Sequence, residues 1–370
     1  MARSRSPADV RIGIVGCGRA AASLHVPALK RVRGAAIVAL SDRDPARLEE
    51  VASRCENAAA YPDYQALVDD ERVDLVAVCV PVTLHAEVAA AALSAGKHVF
   101  IEKPLALTLD DCDRLVDQAS RAESSGIRSV VGFNLRSHRL LRQAREVIRS
   151  GALGEIELLR TLWTADWSGT ARPGWHALRS QGGGALLEIG THQADLWRWL
   201  LESEVESIHA LSRSVAFDDQ TAAFQVRMTS GALVSAAVSQ QTVSHNLVEV
   251  FGSRGSLRLS CYHADSLEVE TVGGPASGAW RRISPLLDKA ARLPAALQAA
   301  RGGGDFRMSY VHEWERIVTA LRDGGTMPAS VYDGRQAAAI VLAALRSSDE
   351  RAAAFLPPAP GPRHADVRAG

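Results

Sequence analysis

Short apolar runs alternate with amphipathic segments along the first third of the chain. Five runs read as strands, at residues 10–16, 35–42, 73–80, 97–103 and 127–133, and helical patterns cover residues 19–33, 44–56, 83–95 and 108–125. Strands that are apolar throughout and are separated by helices are typical of a parallel sheet covered on both faces. This part of the chain therefore predicts a doubly wound α/β domain over residues 9–132.

The pattern changes near residue 133, where strand candidates begin to follow one another closely. A helix is predicted at 135–150, a strand at 156–167 and a helix at 182–200, and further strands at 205–216, 221–229, 232–241, 245–251, 256–260 and 266–271. Closely spaced strands joined by turn signals favour a large open, mostly antiparallel sheet. Residues 272–304 read as a loop with one short helix, and helices are predicted at 306–323 and 331–347. We expect an α+β domain over residues 133–355 and a disordered tail at 356–370.

The composition narrows the classes of protein that this chain represents. Its 370 residues carry 42 basic and 42 acidic side chains, so no net charge attracts nucleic acid or an anionic membrane. The five cysteines are scattered and form no C-x-x-C pair, which favours a reducing cytoplasm over a disulfide framework or a zinc site. We find no signal peptide and no apolar stretch long enough to span a membrane. These features predict a cytoplasmic protein.

A glycine-rich turn lies between the first predicted strand and the helix after it. Gly16, Gly18 and Ala21 form G-x-G-x-x-A, in which the glycines permit a tight turn and close approach of a pyrophosphate to the backbone. Asp42 ends the next strand about 20 residues later, where a carboxylate would bind a ribose 2′-hydroxyl. The motif predicts a Rossmann domain that binds NAD, and Arg43 leaves NADP possible because it could bind a 2′-phosphate.

Further candidates lie where other predicted strands end. Ligands of doubly wound sheets bind at the carboxyl ends of the strands, so Lys103 in the sequence EKP is expected to face the cofactor. His85 follows the third strand and either lies near the same crevice or is an ordinary residue of a helix start. The predicted cofactor-binding residues are Gly16, Gly18, Arg19, Ala20, Ala21, Asp42, Arg43, Pro81, His85, Glu102 and Lys103.

The helix predicted at 182–200 carries a polar stripe. Glu188, His192 and Asp195 recur at i, i+4 and i+7, which places them on one side of a helix. A solvated face and a pocket wall both fit this pattern. No H-E-x-x-H spacing is present, so we predict no catalytic metal.

Together these motifs resemble the Gfo/Idh/MocA family of oxidoreductases over roughly residues 10–350. The resemblance rests on six segments: GIVGCGRAA, SDRDPARL, EKPLALT, VVGFNLR, GGGALLEIGTHQADLWRWL and MPASVYDGRQAAAIVLAAL. It implies an NAD(P)-dependent dehydrogenase or reductase of sugars, polyols or cyclitols, with Lys103 as a catalytic residue. The family's Asp-x-x-x-His falls on Glu188 and His192, so the aspartate is replaced by glutamate here. The resemblance also implies a homo-oligomer, a dimer or tetramer, formed through the C-terminal sheet.

These expectations define a catalytic hypothesis and its competitors. Histidine titrates near neutral pH, so His192 suits removal of a hydroxyl proton, Glu188 could orient it, and Lys103 would stabilise alkoxide charge. The predicted substrate-binding residues are Asn134, Arg136, Trp175, His176 and Asp195. The sequence Ser137-His138-Arg139 replaces the family's usual Phe-x-Pro, which points to an unusual substrate. A non-catalytic NAD(P) sensor and an NAD-dependent glycoside hydrolase remain the alternatives.

Overall fold

The computed structural model describes residues 9–167, 174–263, 266–272, 294, 296–297 and 299–357. These residues fall into two compact units, each with its own sheet. The first unit comprises residues 9–133 and 310–338, and the second comprises 134–309 and 339–357 among the described residues. Residues 310–338, which the sequence pattern predicts to lie in the second domain, belong to the first unit in the structure.

A parallel sheet forms the centre of the first unit. Its strands are β1 (Val10–Val15), β2 (Ala35–Ser41), β3 (Ala59–Tyr61), β4 (Leu75–Val78), β5 (His98–Ile101) and β6 (Ser129–Val131). They are arranged in the order β3-β2-β1-β4-β5-β6, and every neighbouring pair is parallel. The strand order reverses between β1 and β4, and this is the position at which doubly wound sheets bind their ligands. The predicted Rossmann domain is therefore confirmed.

The helices of this unit begin where the sequence supplies a cap. They are α1 (Val26–Leu29), α2 (Pro45–Ala52), α3 (Tyr64–Val68), α4 (His85–Ser94) and α5 (Leu109–Glu123). The Asp44 carboxylate accepts the N–H groups of Ala46 and Arg47 at the start of α2, and Thr108 accepts that of Asp111 in α5. The helix predicted at 19–33 is instead a π-helical turn at Ala21–His25 followed by the short α1. β3 and α3, with three and five residues, were too short for periodicity to reveal.

The sheet of the second unit is larger and mostly antiparallel, as the sequence predicted. Its strands are β7 (Ile156–Asp166), β8 (Val205–Arg213), β9 (Thr221–Met228), β10 (Leu233–Ser239), β11 (Gln241–Gly252), β12 (Gly255–Leu259), β13 (Glu268–Thr271) and β14 (Ala354–Phe355). They are arranged in the order β13-β12-β11-β7-β10-β9-β8-β14, and the described pairs are antiparallel except β7 with β10. Burial alternates along β9 and β10, so one face of the sheet is core and the other is at least partly exposed.

The remaining helices are α6 (Arg139–Arg149), α7 (Ala185–Glu188), α8 (Gly190–Leu201), α9 (Asp305–Asp323) and α10 (Val331–Glu350). The helix predicted at 182–200 is therefore two helices, divided at Ile189. Gly184, just before α7, has φ +88, and a Cβ there would lie 2.6 Å from the Asp218 carbonyl oxygen. Any side chain at this position would clash with that oxygen and would be strained at this φ, so the start of α7 requires glycine. The predicted 272–304 loop lies mostly outside the described residues, and the tail does so from residue 358.

Candidate functional site

The glycine turn after β1 combines a crowded glycine with an open one. Gly16 has φ +96, and a Cβ there would lie 2.6 Å from the backbone carbonyl of Cys79. At Gly18, by contrast, an added Cβ would have no described atom within 4 Å. Gly16 is therefore required by the fold itself. Gly18 leaves space beside the backbone, as close approach of a pyrophosphate requires.

The Asp42 carboxylate accepts a hydrogen bond from this turn and one from the segment after β2. One oxygen accepts the N–H of Cys17 at 2.7 Å, and the other accepts the N–H of Asp44 at 2.9 Å. Each carboxylate oxygen can accept more than one hydrogen bond, so capacity for ribose hydroxyls remains. Burial and then the neighbouring Asp42 charge raise the pKa of Cys17 to about 12, which makes its thiol inert near neutral pH.

The other predicted residues of this turn differ in exposure. Arg19 and Arg43 are exposed, Ala20 is half-buried and Ala21 is buried. One exposed arginine thus lies in the turn and another follows β2, and the small buried Ala21 starts the helical turn. This distribution fits a site that binds a diphosphate and a ribose.

The EKP segment follows β5 directly. Lys103 is half-buried, and its backbone N–H donates to Glu102 Oε2 at 2.9 Å. Glu102 Oε1 lies 2.7 Å from His25 Nε2. His25 was not among the predicted site residues, because its only signal was a histidine on the helix after the glycine motif.

His85 is buried rather than exposed in a crevice. Its Nδ1 lies 2.9 Å from the Pro104 carbonyl oxygen and its Nε2 lies 2.9 Å from that of Val80. Burial lowers its pKa below the ordinary histidine value, and the two carbonyls oppose that shift. The ring therefore lies between two backbone carbonyls, in the segments that follow β4 and β5. Pro81 is exposed in the first of these segments. Cofactor contact at either residue stays a prediction.

In the second unit, Glu188 contacts residues from two other segments of the chain. Its Oε1 lies 2.6 Å from His176 Nδ1, and its Oε2 accepts a hydrogen bond from Gln240 Nε2. His176 and Glu188 are each half-buried. Gln240 is fully buried, and no sequence motif identified it. The carboxylate is therefore placed by one imidazole and one amide, and its predicted role toward His192 stays a prediction.

His192 lies in an aromatic environment. Its ring stacks on Trp163, with centroids 6.0 Å apart and planes 19° apart. The Trp163 indole N–H donates to the hydroxyl of Tyr262, and Phe306 packs edge-on against both aromatic rings. Burial raises the pKa of Tyr262 to about 12, so its hydroxyl stays protonated near neutral pH.

A second aromatic group surrounds His176. Trp175 stacks on it with centroids 3.6 Å apart, and Trp167 lies edge-on at 6.4 Å. Both tryptophans are half-buried, so their faces are not wholly enclosed by protein. Flat apolar surfaces of this kind pack well on sugar and cyclitol rings.

Two predicted substrate residues are paired with each other instead. Arg136 Nε lies 3.1 and 3.0 Å from the two oxygens of Asp195, and Nη2 lies 2.6 Å from Oδ1. Their side chains are 8% and 2% exposed, so the pair is a buried, bidentate ion pair. Asn134 is also buried, and its amide donates to Ser309 Oγ at 2.8 Å. Substrate contact by these residues stays a prediction.

In the part of the chain that the structure describes, no three His, Cys, Asp or Glu side chains are grouped in a way that could hold a metal ion. Among the same residues, no helix is both long enough and apolar enough to cross a membrane.

Comparison with known proteins assigns the chain to a family. Residues 10–127 match the oxidoreductase family with an NAD-binding Rossmann fold, and residues 141–258 match the GFO/IDH/MocA C-terminal domain. Myo-inositol 2-dehydrogenase of Thermotoga maritima is 30% identical, over 92% of this chain and 97% of that protein. Inositol 2-dehydrogenase of Acidothermus cellulolyticus is 31% identical, over 96% and 97%. The chain belongs to the Gfo/Idh/MocA oxidoreductase family.

A solved structure agrees at the level of the fold. The WlbA dehydrogenase of Bordetella pertussis, in complex with NADH and UDP-GlcNAcA, superposes with a TM-score of 0.81 at 22% identity, covering 96% of this chain and 99% of that one. Family and fold together confirm the predicted class. The protein is an oxidoreductase whose first domain binds NAD.

Proposed function

We propose that this enzyme transfers a hydride between a nicotinamide cofactor and a secondary alcohol or ketone of a sugar, a cyclitol or a nucleotide sugar. The observation that carries the substrate class is the second unit's set of half-buried tryptophans beside His176, Glu188 and Gln240. Aromatic faces suit the ring of a polyol, and the polar groups suit its hydroxyls. Relatives named as inositol dehydrogenases and as a dehydrogenase seen with a nucleotide sugar support the same class.

The cofactor residues proposed are those at the carboxyl ends of the first sheet. Gly16, Gly18 and Ala21 would receive the pyrophosphate, and Asp42 would accept from the ribose. The open space at Gly18 fits this assignment. NAD, when bound, supplies the nicotinamide carbon that accepts the hydride. Because Asp42 repels a 2′-phosphate, NAD is favoured over NADP, with Arg43 as the group that would accommodate NADP.

The proposed chemistry needs one proton acceptor and one cation. His192 takes the hydroxyl proton while hydride leaves the adjoining carbon, and Lys103 stabilises the negative charge that develops on the oxygen. Glu188 orients the His192 imidazole and stabilises it when protonated. Asn134, Arg136, Trp175, His176 and Asp195 remain the proposed surroundings of the substrate.

A substrate screen tests this function. Cyclitols, free sugars and nucleotide sugars are incubated with NAD or NADP, and nicotinamide absorbance is followed together with the sugar products. We expect NADH to accumulate in step with an oxidised product for one of these classes. Release of a free sugar without net NADH would indicate the hydrolase alternative. Tight NAD binding without any turnover would indicate the sensor alternative.

Substitution of Lys103 tests the role of its amine. Lys103→Ala should lower kcat by roughly 10²–10³-fold, the range found for removal of one group that stabilises transition-state charge. Lys103→Arg should rescue poorly, because a planar guanidinium does not replace a compact ammonium at one oxygen. The Kd of NAD, measured by fluorescence, should stay within about twofold, since the amine acts mostly after charge develops. A Lys103→Ala enzyme with nearly full kcat would refute the role.

We also propose that the protein is a homo-oligomer, a dimer or tetramer, formed through the outer face of the C-terminal sheet. Along this face Leu158, Leu162, Leu211 and Leu233 are half-buried or exposed. The strand register places Leu158 beside Leu233, and a polar row through Arg160 and Ser235 separates them from the row of Leu162. Exposed apolar side chains grouped in this way mark candidate interfaces. Leu162→Glu, at the centre of β7, should lower the mass measured by light scattering. Val215→Glu, at an exposed position beyond β8, is the matched control.

A cytoplasmic location is proposed on the basis of the cysteines. Cys17, Cys55, Cys79, Cys112 and Cys261 are all free and buried, as in proteins of reducing compartments. The balanced charge of the chain gives no reason to expect binding to nucleic acid or to an anionic membrane. Fractionation of the native host, with detection by antibody, would test this location. Recovery in a secreted or membrane fraction would contradict it.

A further inference from the structure

A chain of hydrogen bonds in the first unit leads to the backbone N–H of Lys103. His25 is fully buried, and the indole N–H of Trp314 donates to its Nδ1 at 3.1 Å. An indole nitrogen can only donate, so Nδ1 is the acceptor and the ring proton lies on Nε2. That N–H in turn donates to Glu102 Oε1 at 2.7 Å. The tautomer of His25 is therefore set by Trp314.

The chain of hydrogen bonds ends at the residue that carries the amine. Glu102 Oε2 accepts the backbone N–H of Lys103 at 2.9 Å. On the other side, the carbonyl of Pro104 lies 2.9 Å from His85 Nδ1. The peptide N–H of Lys103 is thus held by His25 through Glu102, and a second buried histidine lies against the carbonyl of the next residue.

Packing holds His25 and Glu102 in place. Phe100, Tyr310 and Trp314 contact the His25 ring edge-on, at centroid distances of 5.1, 5.7 and 5.9 Å. Gly132 leaves room for this arrangement, because a Cβ there would lie 2.7 Å from the Phe100 ring and 3.4 Å from Glu102 Oε1. The imidazole therefore has little freedom to rotate away from the carboxylate.

We propose that His25 is a positioning residue for Lys103. Its Nε2–H fixes the Glu102 carboxylate, and the carboxylate fixes the peptide N–H from which the Lys103 side chain projects. The inference rests on the proposed function for what the amine does in catalysis. It adds that a residue of the glycine-motif helix, which need not contact substrate, determines where that amine lies. A histidine that only fills the core would instead affect stability alone.

Lysine NMR of the cofactor-free protein provides a readout independent of activity. The chain has only four lysines, at 30, 97, 103 and 289, so ¹³C labelling at lysine Cε gives few signals. Lys103→Arg identifies the signal of interest. We expect His25→Phe to shift and broaden that signal, because Glu102 loses its imidazole donor. His25→Gln should largely restore it, since the amide can donate to the same carboxylate.

His98→Gln is the matched control. This histidine is also in the first unit, but it lies at the amino end of β5, where its Nδ1 accepts the N–H of Arg128. The Lys103 signal should not move in this variant. In turnover, His25→Phe should lower kcat by roughly ten- to a hundredfold through misplacement of the amine, with the Kd of NAD nearly unchanged. His25→Gln should recover most of that loss.

The proposal is overturned if folded His25→Phe shows an unmoved Lys103 signal, or if His98→Gln moves it equally. If His25→Phe does not fold, Trp314→Phe replaces it, because this change removes only the indole donor and keeps an aromatic ring. The ¹⁵N shifts of the His25 imidazole should then leave the pattern of a fixed Nε2–H tautomer, and the Lys103 signal should shift with them. An unchanged tautomer and an unmoved signal would overturn the proposal. The result for His25 is distinguishable from a failure of the proposed function, because that function is refuted if the Lys103→Ala enzyme keeps its kcat.

Discussion

The two units place their candidate residues in different ways. In the first unit the glycine turn, Asp42 and Lys103 each follow a strand of one parallel sheet, so a short motif and a strand end are enough to locate them. In the second unit Glu188 is placed by His176 and by Gln240, which lies 52 residues further along the chain. Local spacing therefore locates the candidate cofactor residues better than it locates the contacts of the candidate substrate residues.

The largest expected effect tests the second unit. His192→Asn removes the proposed proton acceptor and should lower kcat by about 10²–10⁴-fold, with loss of the neutral ionisation from the pH–rate profile. Glu188→Gln should cost less, because it removes a charge that favours imidazolium and keeps a hydrogen-bonding end. The double variant should be little worse than His192→Asn. Fully additive losses in kcat would mean that Glu188 contacts the substrate itself.

The next effect asks whether the Arg136–Asp195 pair binds substrate or supports the fold. Arg136→Met leaves a buried carboxylate without its bidentate partner and should destabilise the protein by roughly 3–5 kcal/mol. Combining it with Asp195→Leu should restore most of the thermal stability, because an apolar pair of similar volume replaces the ion pair. A scanning calorimetry series on the single and double variants measures this. If the double variant regains its thermal stability but has a higher KM than the unmodified enzyme, the pair also contacts substrate.

The Arg136–Asp195 and His176–Glu188 pairs show which features of the structure the sequence could predict and which it could not. Periodicity predicted both sheets, since continuous apolar runs and close alternation reflect burial directly. It predicted one helix at 182–200 and missed the break at Ile189, because apolar spacing continues across it. It placed Asp195 and Glu188 on one polar stripe, but it could not show that Arg136 or His176 would pair with them. Such partners are set by tertiary folding, and no local pattern encodes them.

Two glycine variants distinguish an effect on folding stability from an effect on NAD binding in the first unit. Gly16→Ala should destabilise folding by about 1–3 kcal/mol, because it forces a side chain into φ +96 and against the Cys79 backbone. Gly18→Ala should leave thermal stability unchanged, since its Cβ would have no described atom within 4 Å. Its methyl group would occupy the space proposed for the pyrophosphate, so NAD binding should weaken. Equal NAD affinity in Gly18→Ala and the unmodified protein would place the pyrophosphate elsewhere.

The smallest expected effect concerns the choice between NAD and NADP. Asp42→Asn keeps a carbonyl oxygen for one of the N–H groups of Cys17 and Asp44 but removes the charge that would repel a 2′-phosphate. The ratio of the Kd values of NADP and NAD should fall by about tenfold, which corresponds to ~1.4 kcal/mol. Adding Arg43→Ala should reverse the gain in NADP affinity, because the exposed guanidinium is then absent. Fluorescence titration of both cofactors measures all four Kd values of the two variants. If the unmodified protein binds NADP as tightly as NAD, Arg43 outweighs Asp42, and the charge at the end of β2 does not set the preference.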